Sequence, residues 1–88
     1  MNTLRIYNSA HDARAAFQNM PLPRGAGWQK IMDKSIWRNK STGATVHFIG
    51  LKADDHQRLK GMQFSKVWID DFVDPALVPV EIRALERA

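Results

Sequence analysis

The spacing of apolar and polar positions along this 88-residue chain changes several times, and each change marks an element. Leu4-Arg5-Ile6-Tyr7 alternates and predicts a short first strand. Ala13, Ala16, Phe17 and Met20 then recur at i, i+3, i+4 and i+7, which lays one apolar stripe on a helix of about ten residues. Ser9 is placed to cap that helix. Asp12, three positions on, sets a negative charge at the positive end of its dipole. Pro21 and Pro23 stop it.

Pro21 to Gly27 is a loop rich in helix and strand breakers, and Trp28 is expected to anchor its far end on the core. From Ser35 the alternation returns. Ser35 to Asn39 and Ala44 to Ile49 predict a β-hairpin around the turn Lys40-Ser41-Thr42-Gly43. On its second strand Val46 and Phe48 share one face, and Thr45, His47 and Ile49 the other. Gly50 ends it. Asp54 can cap a short helix closed by Gly61. Lys66-Val67-Trp68-Ile69-Asp70 has an unbroken apolar middle, which predicts a buried central strand. Asp74-Pro75 breaks the chain, and Pro79 opens a last helix carrying Ile82 and Leu85. The expected fold is α+β with an α/β-like order: a single small domain over 1–88, a mixed sheet of about four strands including a hairpin, two longer helices and one short one.

Composition narrows the classes of function. The apolar runs are far shorter than the roughly 20 residues of a membrane helix, and the N-terminus has no apolar leader. With no cysteine there is neither a disulfide framework nor a thiolate metal site, which suits the cytoplasm. The net charge of +4 is uneven. Residues 1–66 hold eleven Lys/Arg against four Asp/Glu, and residues 67–88 hold two against five. A basic body of this kind can meet nucleic acid. Lys52, Arg58, Lys60 and Lys66, joined by Arg38 and Lys40 on the hairpin, are the candidate phosphate contacts. Trp37, beside Arg38, is the candidate interface anchor or stacking platform if its face of the strand is open. His11, His47 and His56 lack the spacing of a metal site, and His47 is expected half exposed. No activated serine or nucleophile elbow is present.

The remaining chemistry lies where the last strand runs into Asp70-Asp71. Three segments taken together carry a resemblance: the Thr42-Gly43-Ala44 turn leading into Val46-His47-Phe48-Ile49-Gly50-Leu51, then Arg58-Leu59-Lys60-Gly61, then Phe64 through Val67-Trp68-Ile69-Asp70-Asp71. In order and spacing they resemble the ATPase domain of bacteriophage large terminase subunits, the motors that pump DNA into capsids. The resemblance runs over about residues 4–74. It implies that Asp70 orients magnesium and its water at a Walker B strand, and that Asp71, where the family usually has Glu, activates the attacking water.

One departure shapes the expectation. Gly25-Ala26-Gly27 lacks the following Lys-Ser/Thr of a phosphate loop and lies after the first helix, on the wrong side of it. Without backbone amides and a lysine around the β and γ phosphates, little stabilises phosphoryl transfer. The expectation is therefore a small phage-derived, terminase-like protein that acts by binding, without turnover and without a cofactor. Its partner is expected to be a protein, either of the packaging machinery or a host factor. Two alternatives stay open: a basic nucleic-acid-binding protein, and an incomplete ATPase that needs another chain. The oligomeric state is left open too.

Overall fold

A computed structural model describes residues 2–51, 59 and 62–84. The chain forms β1 (Asn2–Tyr7), α1 (Ala10–Asn19), β2 (Trp28–Ile31), β3 (Ile36–Asn39), β4 (Thr45–Gly50) and β5 (Lys66–Ile69). A 3-10 turn over Pro75–Leu77 and a short α2 (Val80–Arg83) follow. The five strands make one mixed sheet in the order β2-β3-β4-β1-β5. β2, β3 and β4 are antiparallel neighbours, whereas β1 runs parallel to both β4 and β5.

Strand alternation divides the core between the two faces of the sheet. Tyr7, Phe48 and Trp37 point to the face covered by α1, where they meet Ala13 and Phe17. Leu4, Ile6 and Ile49 point the other way, onto Leu59, Phe64, Val73, Val78 and Ile82. α1 forms where the apolar stripe predicts it. Ser9 caps it by accepting the Asp12 N–H at 3.1 Å. Ala13 and Phe17 are buried, with Ala16 and Met20 packed beside them. Arg14 fastens the helix to the β2–β3 turn through the Met32 carbonyl and the Ser35 hydroxyl.

The sheet differs from expectation in three ways. It has five strands rather than about four, because Trp28–Ile31 forms β2 against β3. β5 stands at an edge and is not central: its one strand neighbour among the described residues is β1, Lys66 is exposed, and Val67, Trp68 and Ile69 are only half-buried. The chain also has a single longer helix among the described residues, since α2 spans only Val80–Arg83. Pro79 is its N-cap rather than its first residue, so α2 begins one position after the expected start, and Ile82 is buried. Leu85 and the short helix expected after Asp54 lie outside the described residues, apart from the buried Leu59.

Two side chains are more enclosed than their positions suggest. Trp37 is 3% exposed, sealed between α1 and Phe48, with its indole N–H donated to the Phe17 carbonyl at 3.2 Å. It is therefore a core residue and not a surface anchor; Ile36 takes the opposite face. His47 is 7% exposed rather than half exposed, because Phe64 packs edge-on against its ring.

Candidate functional site

The three parallel strands β4, β1 and β5 end together, and the chain leaves them in opposite directions. After β1 it turns through Asn8 and Ser9 into α1, over one face. After β5 it turns through Asp70, Asp71 and Phe72 toward Val73, Val78 and Ile82, under the other face. Divergent exits beyond the C-terminal ends of neighbouring parallel strands mark a switch point, the usual ligand position in α/β sheets.

Several contacts fix its geometry. The Asp70 N–H donates to the Ile6 carbonyl at 3.0 Å, extending the β1–β5 ladder by one residue. The Asp70 carbonyl accepts the Val73 N–H at 2.9 Å, which closes the acidic turn through the backbone. Asn8 donates its amide to the Phe72 carbonyl at 2.9 Å and ties this turn to the start of α1. On the far side, the Leu51 N–H reaches the Tyr7 carbonyl at 2.8 Å. Gly50 lies hard against the Ser9–Ala10 backbone: a Cβ there would sit 2.1 Å from the Ser9 carbonyl carbon. Only glycine lets β4 and the first turn of α1 approach this closely. Neither Asn8 nor Gly50 carried a signal of this role in the sequence; each acquires it from a residue distant along the chain.

Asp70 is half-buried at the end of β5 and Asp71 is exposed beside it. Among the described residues no group of three or more His, Asp or Glu side chains could hold a metal ion. Asp70 and Asp71 could supply oxygen ligands to a magnesium ion that keeps most of its waters and takes its other ligands from a phosphate.

The glycine-rich loop lies at the other end of the molecule. β3 runs antiparallel to β4 and ends at Asn39, beside the start of β4. Asn39 is buried and donates its amide to the Ala26 carbonyl at 3.1 Å, and the Lys40 N–H donates to the Gly27 carbonyl at 2.9 Å. Gly25–Gly27 is thus bound to the N-terminal end of the parallel strands. A six-residue strand at about 3.3 Å per residue puts it about 17 Å or more from the ends where Asp70 sits.

The basic candidates separate. Arg38 is exposed on β3 and pairs with Thr45, so it projects from the face opposite Trp37. Lys66 is exposed at the start of β5, opposite Thr3, on the same face as Trp68. Lys40 is exposed in the hairpin turn. Arg38 and Lys66 therefore point to opposite sides of the sheet and do not share a patch. Lys52, Arg58 and Lys60 lie outside the described residues. Arg5, which the sequence did not single out, lies over the Trp68 ring at 3.8 Å from its centroid and donates from Nε to the Tyr7 hydroxyl at 3.1 Å.

A family model of the N-terminal domain of the terminase large subunit, T4likevirus-type, matches residues 3–76, from the first strand through the acidic turn and into the 3-10 segment. The chain belongs to this family. The match takes in all five strands of the sheet, α1 and the turn with Asp70 and Asp71. Comparisons with curated proteins and with solved structures gave no match. No helix among the described residues is long and apolar enough to cross a membrane.

Proposed function

We propose that this terminase-like domain is a binding module that engages a protein partner, either of the phage packaging machinery or a host factor, in the host cytoplasm. On this reading it does not hydrolyse nucleotide by itself. The observation that supports it is the separation of Gly25–Gly27 from Asp70 and Asp71 by the length of the sheet. The carboxylates of a Walker B strand act on a phosphate held within a few ångströms, and this loop is tied down elsewhere. Asp70 and Asp71 then mark the ancestry of the strand.

A second reading draws on the carboxylates at the strand end: the same Asp70 and Asp71 would hold magnesium once another chain supplies the phosphate loop. One set of measurements separates the readings. The chain alone, given ATP and magnesium, is expected to release no phosphate above background. Asp70→Ala is expected to capture the same partner from infected-cell lysate as the parent chain. Magnesium-dependent nucleotide binding that disappears in Asp70→Ala would overturn the binding-module reading in favour of the incomplete ATPase. Retention on DNA that falls steeply with salt would instead assign the chain to nucleic acid.

A further inference from the structure

Arg5 carries a charge that the fold holds in place and does not neutralise. It is half-buried on β1, and its guanidinium carbon lies 3.8 Å from the centroid of the Trp68 ring. Its Nε–H donates to the Tyr7 hydroxyl at 3.1 Å, and that hydroxyl in turn donates to Met20 Sδ at 3.7 Å. One face and one edge of the guanidinium are thus fixed. Its two terminal nitrogens have no partner among the described residues. Charged side chains drawn out of water are normally paired. Asp70 stands two positions past Trp68 on the same face, and no ion pair joins it to Arg5.

The surroundings select the kind of anion that fits. In the parallel register Arg5 lies opposite Trp68 and Thr3 opposite Lys66, so the exposed Lys66 flanks Arg5 on one face. Its ammonium has no partner among the described residues either. With Nε taken by Tyr7, the guanidinium presents its two terminal nitrogens as a fork that matches the two oxygens of a carboxylate. A stacked base finds no platform, because Arg5 covers one face of the Trp68 ring and Tyr7 tilts against that ring at 5.8 Å. A nucleic-acid backbone needs a run of cations. Here Arg38 points to the other side of the sheet, and Asp70, Asp71 and Asp74 follow Lys66 along the chain. The arrangement suits one acidic side chain. Arginine, tryptophan and tyrosine together are also the residue types that dominate the energetics of protein–protein contacts.

We propose that Arg5, backed by Trp68 and Tyr7 and flanked by Lys66, is the point where an acidic segment of the partner protein docks, its carboxylate received by the Arg5 fork. The inference rests on the binding-module reading and deepens it, since it names the surface used and the charge of the partner.

The test titrates the purified chain with hexaglutamate and, separately, with hexaglutamine, following the Arg5 Nε–H and the Trp68 indole N–H by nitrogen–proton NMR. Hexaglutamate is expected to shift both signals to saturation, and hexaglutamine to leave them in place. Arg5→Lys keeps the charge but loses the fork, and is expected to weaken hexaglutamate binding about tenfold. Lys66→Glu reverses the charge beside the fork at an exposed position, and is expected to weaken it several-fold. Far-UV circular dichroism checks that each variant folds, and Lys66→Glu carries the test should Arg5→Lys not fold. Signals that hexaglutamate does not move would overturn the proposal, as would a folded Arg5→Lys chain that binds as tightly as the parent. A thymidine oligonucleotide that moves both signals where hexaglutamate does not would assign the fork to nucleic acid instead. Capture from infected-cell lysate separates this inference from the reading beneath it. A partner held equally by the parent chain and Arg5→Lys would overturn the docking point alone. A parent chain that captures no partner would overturn the binding module, and the docking point with it.

Discussion

Asn39 is where the hairpin turn and the glycine loop meet, and it serves both with one side chain. Its Oδ1 accepts the Ser41 N–H at 2.8 Å and the Thr42 N–H at 3.1 Å, while its Nδ2 donates to the Ala26 carbonyl. Asn39→Ala leaves those groups without their partner in a buried site, at a cost of about 1–3 kcal/mol. Urea denaturation should show the loss as a lower midpoint with an unchanged slope. Gly27, packed against the same residue, sharpens the point. Its φ is +96°, and a Cβ there would lie 2.7 Å from the Ser41 hydroxyl and 2.8 Å from Asn39 Oδ1. Gly43 in the adjoining turn has φ +78° but nothing within 4 Å of the same atom. Gly43→Ala should therefore cost only the left-handed penalty of about 1–2 kcal/mol, and Gly27→Ala clearly more. Equal midpoints for the two variants would mean that the Gly27 contact does not matter. The sequence marks both glycines as turn residues; which of them is crowded depends on a loop and a hairpin meeting in space, and no local pattern records that.

Element by element, legibility follows how local the deciding interactions are. α1 could be read from its stripe, its cap and its prolines because all of these lie within about three turns of chain. Ser9→Ala removes the acceptor for the Asp12 N–H and should lower stability by about 1 kcal/mol. Asp12→Asn should cost less, at most about 1 kcal/mol, and its effect should shrink as salt screens the dipole. Equilibrium unfolding of both variants at low and high ionic strength checks the order and the salt dependence. The β3–β4 hairpin was legible for the same reason, since its pairing needs only the turn between its strands. β2 was not. Four residues running Trp, Gln, Lys and Ile show no alternation of apolar and polar positions, and the strand's start follows a glycine loop while its end enters a turn in which Ser35 has φ +53°. β5 was legible as a strand but misplaced in the sheet, because apolar character reports burial and edge position depends on which strands stand beside it. At the site, the Asp70-Asp71 turn could be read at the strand end. The clamp from Asn8 could not, since 64 residues separate its donor from its acceptor.

At the scale of the whole molecule, the two cores cannot come apart independently, because the same strands build both. β1 sends Leu4 and Ile6 to one face and Tyr7 to the other; β4 sends His47 and Ile49 one way and Phe48 the other. Melting either face removes the pleat on which the opposite face packs, so unfolding should be a single transition. The tryptophans make this measurable from one side. Trp37 belongs to the core beneath α1, and Trp28 and Trp68 pack against that core. Fluorescence thus reports the helix-covered face, whereas far-UV circular dichroism reports the backbone of the whole sheet. Phe64→Ala removes a fully buried ring on the opposite face and should cost about 3–5 kcal/mol, a large part of the roughly 5–15 kcal/mol typical of a domain. Phe17→Ala, under α1, should cost a similar amount. The decisive comparison is in Phe64→Ala, whose change lies outside the tryptophan face. If the faces are coupled, its fluorescence and dichroism midpoints fall together. A fluorescence midpoint left near that of the parent chain while the dichroism midpoint drops would mean that the two cores fold separately.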